Sequence, residues 1–205
     1  MSITTIFFDL GGVLISNGFD TAQRKEATAH FGLDWEDFED RHEAVASELE
    51  RGHLSFDDYL TITMFHDRRS FTREQFTEWL RAQWQAFPDS VAVLEDVSRS
   101  KRYFLATLNN ESAWIHEARV TRFQLDQYFQ VFFTSCYLGL VKPDVKFYQV
   151  ALKMTCRDPA ECVFIDDRPR NLEPARALGM NAIHFTAAPK LREDLAQLGV
   201  DIARR

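Results

Sequence analysis

Five short apolar runs punctuate the chain: Ile3–Phe8, Tyr103–Leu108, Val131–Thr134, Cys162–Ile165 and Ala182–Phe185. Each is continuous rather than alternating, the pattern of parallel strands covered on both faces. Helical periodicity lies between them, over Val91–Ser98, Ala113–Phe123, Val145–Met154 and Leu172–Ala177. Strands that alternate with helices predict an α/β fold built on a parallel sheet. Ligands of such sheets sit at the carboxyl ends of the strands. The residues just after each run are therefore the first place to look for chemistry.

About 90 residues separate the first run from the second, and that stretch reads as helical. Trp35, Phe38, Val45 and Leu49 fall on one helical face, and Gly52 follows as a stop. Ser55-Phe-Asp-Asp58 fits a capping box. So does Thr72-Arg-Glu-Gln75, with Phe71 and Phe76 spaced as a hydrophobic staple. The arrangement expected is an α/β core made of residues 1–15 and 88–205, interrupted by a helical insert over 16–87. Core packing accounts for the insert's Phe and Trp residues.

Composition narrows the function. The 205 residues are 45% hydrophobic and 27% charged, with 18 Phe, a globular rather than disordered balance. The net charge of −7 argues against binding a nucleic-acid backbone, which needs a basic surface. All of that excess lies in residues 16–87, with 15 Asp+Glu against 8 Lys+Arg. The core is neutral, and an acidic insert disfavours heavily anionic substrates. Three Cys without a C-x-x-C spacing suggest neither a disulfide framework nor a zinc site. The N-terminal apolar stretch has no basic flank and carries Asp9, and no run approaches a membrane span. A cytoplasmic protein with no membrane or nucleic-acid partner is expected, its oligomeric state open.

Four strand ends carry polar groups. The first is Asp9-Leu-Gly-Gly12, a carboxylate on a tight turn whose glycines allow positive φ and close approach to a ligand. The second is Asn109-Asn110-Glu-Ser112. The third, beginning five residues beyond its strand, is Gly139-Leu-Val-Lys142-Pro143-Asp144, and the fourth is Asp166-Asp167 with Asn171 beyond. Three converging carboxylates repel one another unless a cation lies between them. A site offering only oxygen suits Mg²⁺, bound through carboxylates and a substrate phosphate. Lys142 and amide N–H groups then hold phosphate oxygens, and a central Asp can attack phosphorus.

Taken in order, these motifs make the chain resemble the haloacid dehalogenase-like (HAD) hydrolases. The resemblance covers residues 1–15 and about 88–190, and rests on Asp9-Leu-Gly-Gly-Val13, Asn109-Asn110, Lys142-Pro143 and Asp166-Asp167-Arg-Pro-Arg-Asn171. Glu173-Pro-Ala-Arg-Ala-Leu-Gly-Met180 is similar to the helix that follows the last motif in that family. More narrowly, the chain is similar to the α-glucose-1-phosphatase and epoxide-hydrolase N-terminal phosphatase group, whose cap Glu50-Arg-Gly-His-Leu-Ser-Phe56 resembles. The resemblance implies a Rossmann-like three-layer core with a helical cap inserted after the first strand. It implies a Mg²⁺-dependent phosphomonoesterase of small phosphorylated metabolites, sugar phosphates among them. Asp9 is then nucleophile and metal ligand, with the Gly11 carbonyl, Asp167 and Asp166 as further ligands. Lys142 neutralises Asp9 and the phosphoryl group, while Asn109, Asn110 and Gly12 bind substrate.

Two positions depart from the pattern. Gly11 stands where phosphatases of the family carry a second Asp as general acid and base, a group worth about 10²–10⁴ in rate. Asp20, His42, Glu50 and His53 in the insert are candidates to supply the proton. Asn109 replaces a Ser or Thr and keeps a donor on a larger side chain. Arg24, Arg41 and Arg51 are candidates to meet the substrate. The competing functions are a 2-haloacid dehalogenase, against which the Asp166-Asp167 pair counts, and a HAD-fold binding protein weakened at Gly11. No G-x-G-x-x-G follows the first strand, which argues against a nicotinamide enzyme.

Overall fold

Strand β1 (Thr5–Phe8) is buried along its whole length and lies at the centre of the sheet. It pairs in parallel with β2 (Phe104–Asn109), Thr5 opposite Phe104, and with β4 (Cys162–Asp166), Thr5 opposite Cys162. Outside these lie β3 (Val131–Thr134) and β5 (Asn181–His184), giving the order β3-β2-β1-β4-β5. The computed structural model describes residues 2–202. Every pairing is parallel, as continuous apolar runs require. The chain leaves β1 toward β2 and returns on the other side to β4. The β1–β4 boundary is therefore a topological switch point, with a crevice at the carboxyl ends of the strands.

Strand alternation divides the core between the two faces. Ile6 and Phe8 point one way, and Val93, Leu94 and Val97 of one covering helix meet them. Phe7 points the other way, toward Phe147, Tyr148 and Leu172. A third apolar cluster joins helices α1 (Thr21–Phe31), α2 (Trp35–Glu50), α3 (Phe56–Thr63) and α4 (Arg73–Gln83). Phe38, Tyr59, Phe76 and Trp84 are buried there. It meets the rest of the protein on α6 (Ala113–Phe123), where Phe56 stacks on Trp114 with centroids 4.5 Å apart. The segments entering and leaving this helical unit run side by side. Ser16 N–H donates to the Gln85 carbonyl at 2.8 Å, and Phe87 N–H to Leu14 at 2.8 Å.

The remaining helices cover the sheet: α5 (Pro88–Arg99), α7 (Ser135–Leu138), α8 (Val145–Thr155), α9 (Pro169–Ala177) and α10 (Ala188–Gln197). Thr72 and Gln75 close the reciprocal box expected at α4. Phe31 bridges the staple pair, with ring centroids 4.3 Å from Phe71 and 5.7 Å from Phe76. Ser55 forms only half of the box expected at α3. Its hydroxyl caps the Asp58 N–H and donates to the Asp58 carboxylate instead of leaving that carboxylate for its own backbone. Asp58 is one atom group shorter than the Glu or Gln that makes the return bond.

Candidate active site

Asp9 follows β1 directly, and its backbone N–H continues the ladder to the Ile165 carbonyl at 2.8 Å. The next N–H, of Leu10, donates to Asp9 Oδ1 at 2.8 Å and leaves Oδ2 for Lys142 Nζ at 2.9 Å. Lys142 reaches Asp166 Oδ2 as well, at 2.7 Å. Asp166, last in β4, is held by Asn171 Nδ2, 3.0 Å from each of its oxygens, and by the Arg168 N–H at 2.8 Å. Asn171 is fixed in turn by the Tyr148 hydroxyl, which donates to its carbonyl at 2.7 Å. Four elements distant in sequence thus converge on one buried ammonium.

Asp9, Asp166 and Asp167 each offer an oxygen within 4.8 Å of the others. Asp167 Oδ1 is buried and has no hydrogen-bond partner. A buried carboxylate oxygen without a donor is costly unless a cation completes it. Three hard oxygen donors against one Lys suit a divalent ion of the Mg²⁺ type. Burial, opposed by Lys142 and aided by Asp166, lifts Asp9 to about 7. Burial and then Asp166 raise Asp167 too. Burial works against the charge on Lys142, but Asp9 and Asp166 outweigh it and hold its pKa above the ordinary value.

Gly12 has φ +75°, and a Cβ there would lie 2.4 Å from Asp167 Oδ2. Its N–H donates to the Ile15 carbonyl at 2.8 Å. The sequence places Gly12 among the substrate-binding residues. The structure sets it behind Asp167, where the missing side chain makes room for that carboxylate. Asn110 forms a two-way bond with the Lys142 backbone, accepting from its N–H at 2.8 Å and donating to its carbonyl at 3.1 Å. Asn109 is buried, donates to Glu111 Oε2 at 3.4 Å and accepts from Thr134 at 3.4 Å. Both Asn residues line the same cavity as Asp9, Gly11 and Lys142, a space of about 310 Å³.

The cavity's other wall comes from the helical unit. Arg24, His42, Leu49, Glu50 and Tyr59 line it, with Arg168 and Arg170 contributed by the sheet side. Asn17 occupies the space beside Gly11, its Oδ1 2.8 Å from where a Cβ would sit. Of the insert's arginines, Arg24 lines the cavity but is paired with Glu39 at 2.6 Å. Arg41 pairs with Asp37, and Arg51 donates to the Gly139 carbonyl at 2.8 Å. Also lining the cavity, buried Arg119 bonds the Glu111 carboxylate and the Ser16 carbonyl. Glu111 stands in the polar set after β2, but nothing in the sequence assigns it a role, and Arg119 as its partner went unseen. The available signal was an Arg at i+4 between Ile115 and Phe123, on a stripe otherwise apolar.

The sheet is of the doubly wound α/β class, with three clustered carboxylates and a buried Lys at its switch point. The match to a family model extends over residues 3–179, so the chain belongs to the haloacid dehalogenase-like hydrolases. It is 29% identical to flavin mononucleotide hydrolase 1, a chloroplastic protein of Arabidopsis thaliana, over 93% of this chain and 79% of that one. It is 42% identical to bifunctional epoxide hydrolase 2 of Mus musculus over 34% of this chain, a match spanning only 13% of that protein. Among solved structures, a HAD family enzyme of Bacteroides thetaiotaomicron superposes with a TM-score of 0.74. Identity to it is 20%, with 91% of this chain and 96% of that one covered, and it was crystallised with magnesium and inorganic phosphate. Among the described residues, no helix is long and apolar enough to cross a membrane.

Proposed function

We propose that the protein is a Mg²⁺-dependent phosphomonoesterase that cleaves a small metabolite monophosphate, sugar phosphates among those that fit, through an aspartyl phosphate on Asp9. The observation that carries this reading is the Asp9–Lys142–Asp166 chain beside the unpartnered Asp167 oxygen, with Asp9 and Lys142 lining a cavity. Asp9, Asp166, Asp167 and the Gly11 carbonyl are the groups that would hold Mg²⁺. When bound, the ion supplies charge neutralisation for the transferring phosphoryl group. The magnesium and phosphate bound by the Bacteroides enzyme agree with this assignment.

Lys142 holds Asp9 in place by its Oδ2 and offers positive charge to the phosphoryl oxygens. The Asn110 bond to the Lys142 backbone fixes the loop that carries that charge. Asn109 keeps an amide at the end of β2 facing the same space. Asp9 attacks phosphorus, the ester P–O bond breaks, and the alcohol leaves. Water then attacks the aspartyl phosphate, releasing inorganic phosphate and restoring the carboxylate. Preorganised charge and in-line positioning do most of the catalysis in phosphoryl transfer. In this reading residues 1–15 and 88–205 are the catalytic core and 16–87 a cap. The paired strands of backbone at Ser16 and Gln85 support that division.

The test is turnover of an aryl phosphate by wild type and Asp9→Asn. The expected result is activity lost in EDTA, restored by Mg²⁺ and absent from the variant. Equal rates in the two proteins would remove Asp9 from the reaction. Halide release from a 2-haloacid without metal would favour the dehalogenase. A panel of phosphates bound but not turned over would favour the binding protein.

A further inference from the structure

With Gly11 in place of an acid, the phosphomonoesterase reading leaves the leaving group without a proton donor. We infer that Glu50, at the end of α2, is the general acid and base of this site. The inference rests on the phosphomonoesterase reading and supplies the step that Gly11 cannot.

The structure separates the four candidates. Asp20 caps α1, with Oδ1 accepting the Gln23 N–H at 3.0 Å and Oδ2 the Asn17 amide at 2.9 Å. His42 shares a hydrogen bond with the Tyr59 hydroxyl at 2.8 Å, and burial pushes its pKa down to about 4, leaving it neutral. His53 is exposed, pairs with Glu48 and does not line the cavity. Glu50 lines the cavity, is half-buried, and among the described residues makes no hydrogen bond or ion pair.

Its placement at the helix end works against its charge. A carboxylate at a helix C-terminus meets the negative end of the helix dipole, and the last turn of α2 has no basic residue. Burial raises its pKa against the pull of Arg168, Lys142, Arg170 and Arg51. The residues that follow pin this helix end to the core. Arg51 bonds the Gly139 carbonyl at 2.8 Å. Gly52, at φ +75°, leaves room for only the bare backbone: a Cβ would stand 2.0 Å from the Cys136 carbonyl oxygen. The end of α2 that carries Glu50 is thus tied to α7 and Gly139 by the contacts of Arg51 and Gly52.

The proposed proton path balances. As the P–O bond breaks, the proton of the Glu50 carboxyl moves to the leaving oxygen, which departs as the alcohol. The Glu50 carboxylate then takes a proton from the water that attacks the aspartyl phosphate. Inorganic phosphate leaves, and the Asp9 carboxylate and Glu50 carboxyl are restored.

The test compares Glu50→Gln with wild type on p-nitrophenyl phosphate, whose leaving group needs little protonation, and on a primary alkyl phosphate, whose leaving group needs it. Glu48→Gln, exposed on the same helix, is the control. The expected loss in kcat is about 100-fold or more on the alkyl ester and less than about 10-fold on the aryl ester. The slope of log kcat/KM against leaving-group acidity should steepen. Retained aryl turnover shows that the variant folds. Equal losses on both esters, or a change confined to KM, would overturn the role of Glu50 while leaving the phosphatase reading intact. Wild type inert toward both esters with Mg²⁺ present would overturn both.

Discussion

Replacing Lys142 by Met removes a buried ammonium that touches two carboxylates at once. Its Nζ lies 2.9 Å from Asp9 and 2.7 Å from Asp166. At an effective dielectric of about 20, each contact is a gross attraction of roughly 6 kcal/mol. Desolvation offsets much of this, and breaking a buried pair costs about 3–5 kcal/mol. For a chain of this size that corresponds to about 6–20 °C in Tm. The loss should depend on pH. Asp9 already titrates at about 7 in the intact site, and Lys142 is the group pulling it down. Without Lys142 it rises further. A carboxyl whose folded pKa exceeds its unfolded value binds the extra proton when folded. It is stabilising at low pH, and the benefit fades as pH climbs through the folded pKa. The deficit of Lys142→Met relative to wild type should therefore be larger at pH 8 than at pH 6. Urea denaturation of both proteins in EDTA at the two pH values measures it. A deficit under about 1 kcal/mol at pH 8, or one equal at both pH values, would refute the reasoning.

Three further substitutions probe the supports of the site. Gly12→Ala forces a Cβ to within 2.4 Å of Asp167 at a positive φ. It should weaken Mg²⁺ binding at least 10-fold by calorimetric titration and cost about 1–2 kcal/mol of stability. Unchanged Mg²⁺ affinity would show that Asp167 does not depend on that space. Asn171→Ala removes the amide that spans both oxygens of Asp166, leaving Arg168 N–H on Oδ1 and Lys142 on Oδ2, and should cost about 10–100-fold in activity, as loss of an outer hydrogen-bond partner does. Wild-type kcat/KM would contradict this. Arg119→Met strands Glu111 in the interior and cuts the link to Ser16. A loss of about 3–5 kcal/mol in urea is expected, and one below about 1 would mean that the pair is not a structural tie.

The sheet was legible because its signal is local. All five strands coincide with apolar runs to within two residues, and Val131–Thr134 and Ala113–Phe123 match at both ends. Asp9, Asp166 and Asp167 could be collected from the sequence because each stands at or just beyond a strand end, and Lys142 because the loop after β3 and α7 carries it; the topology turns those segments toward one crevice. Helix α10 went unseen. Ala187, before its first turn, provides no side-chain cap, and the helix's buried contacts come down to Ala188, Leu191 and Leu195. Helix α1 has the same difficulty, burying only Ala27 and Thr28 beside the stem of Arg24. The Arg24–Glu39 and Arg119–Glu111 pairs were hidden for another reason. Arg24–Glu39 depends on how α1 packs on α2, and Arg119–Glu111 on how the loop after β2 folds back along α6, and neither partner betrays the pair alone.

The acidic excess of the insert also takes on a different meaning in three dimensions. Arg24 and Arg119 face the cavity together with Lys142, while Asp57, Asp67 and Glu74 lie on the outer surface. Net charge by segment described the outside of the unit. The cavity wall carries cations and, among its described residues, the unpaired carboxylate of Glu50.

The most direct measurement is mass spectrometry of the peptide containing Asp9, taken from protein quenched in acid during turnover of a phosphate ester with Mg²⁺. The account requires one phosphoryl group on Asp9, absent when the reaction is run in EDTA. An Asp9 peptide that stays unmodified through rapid turnover would contradict it.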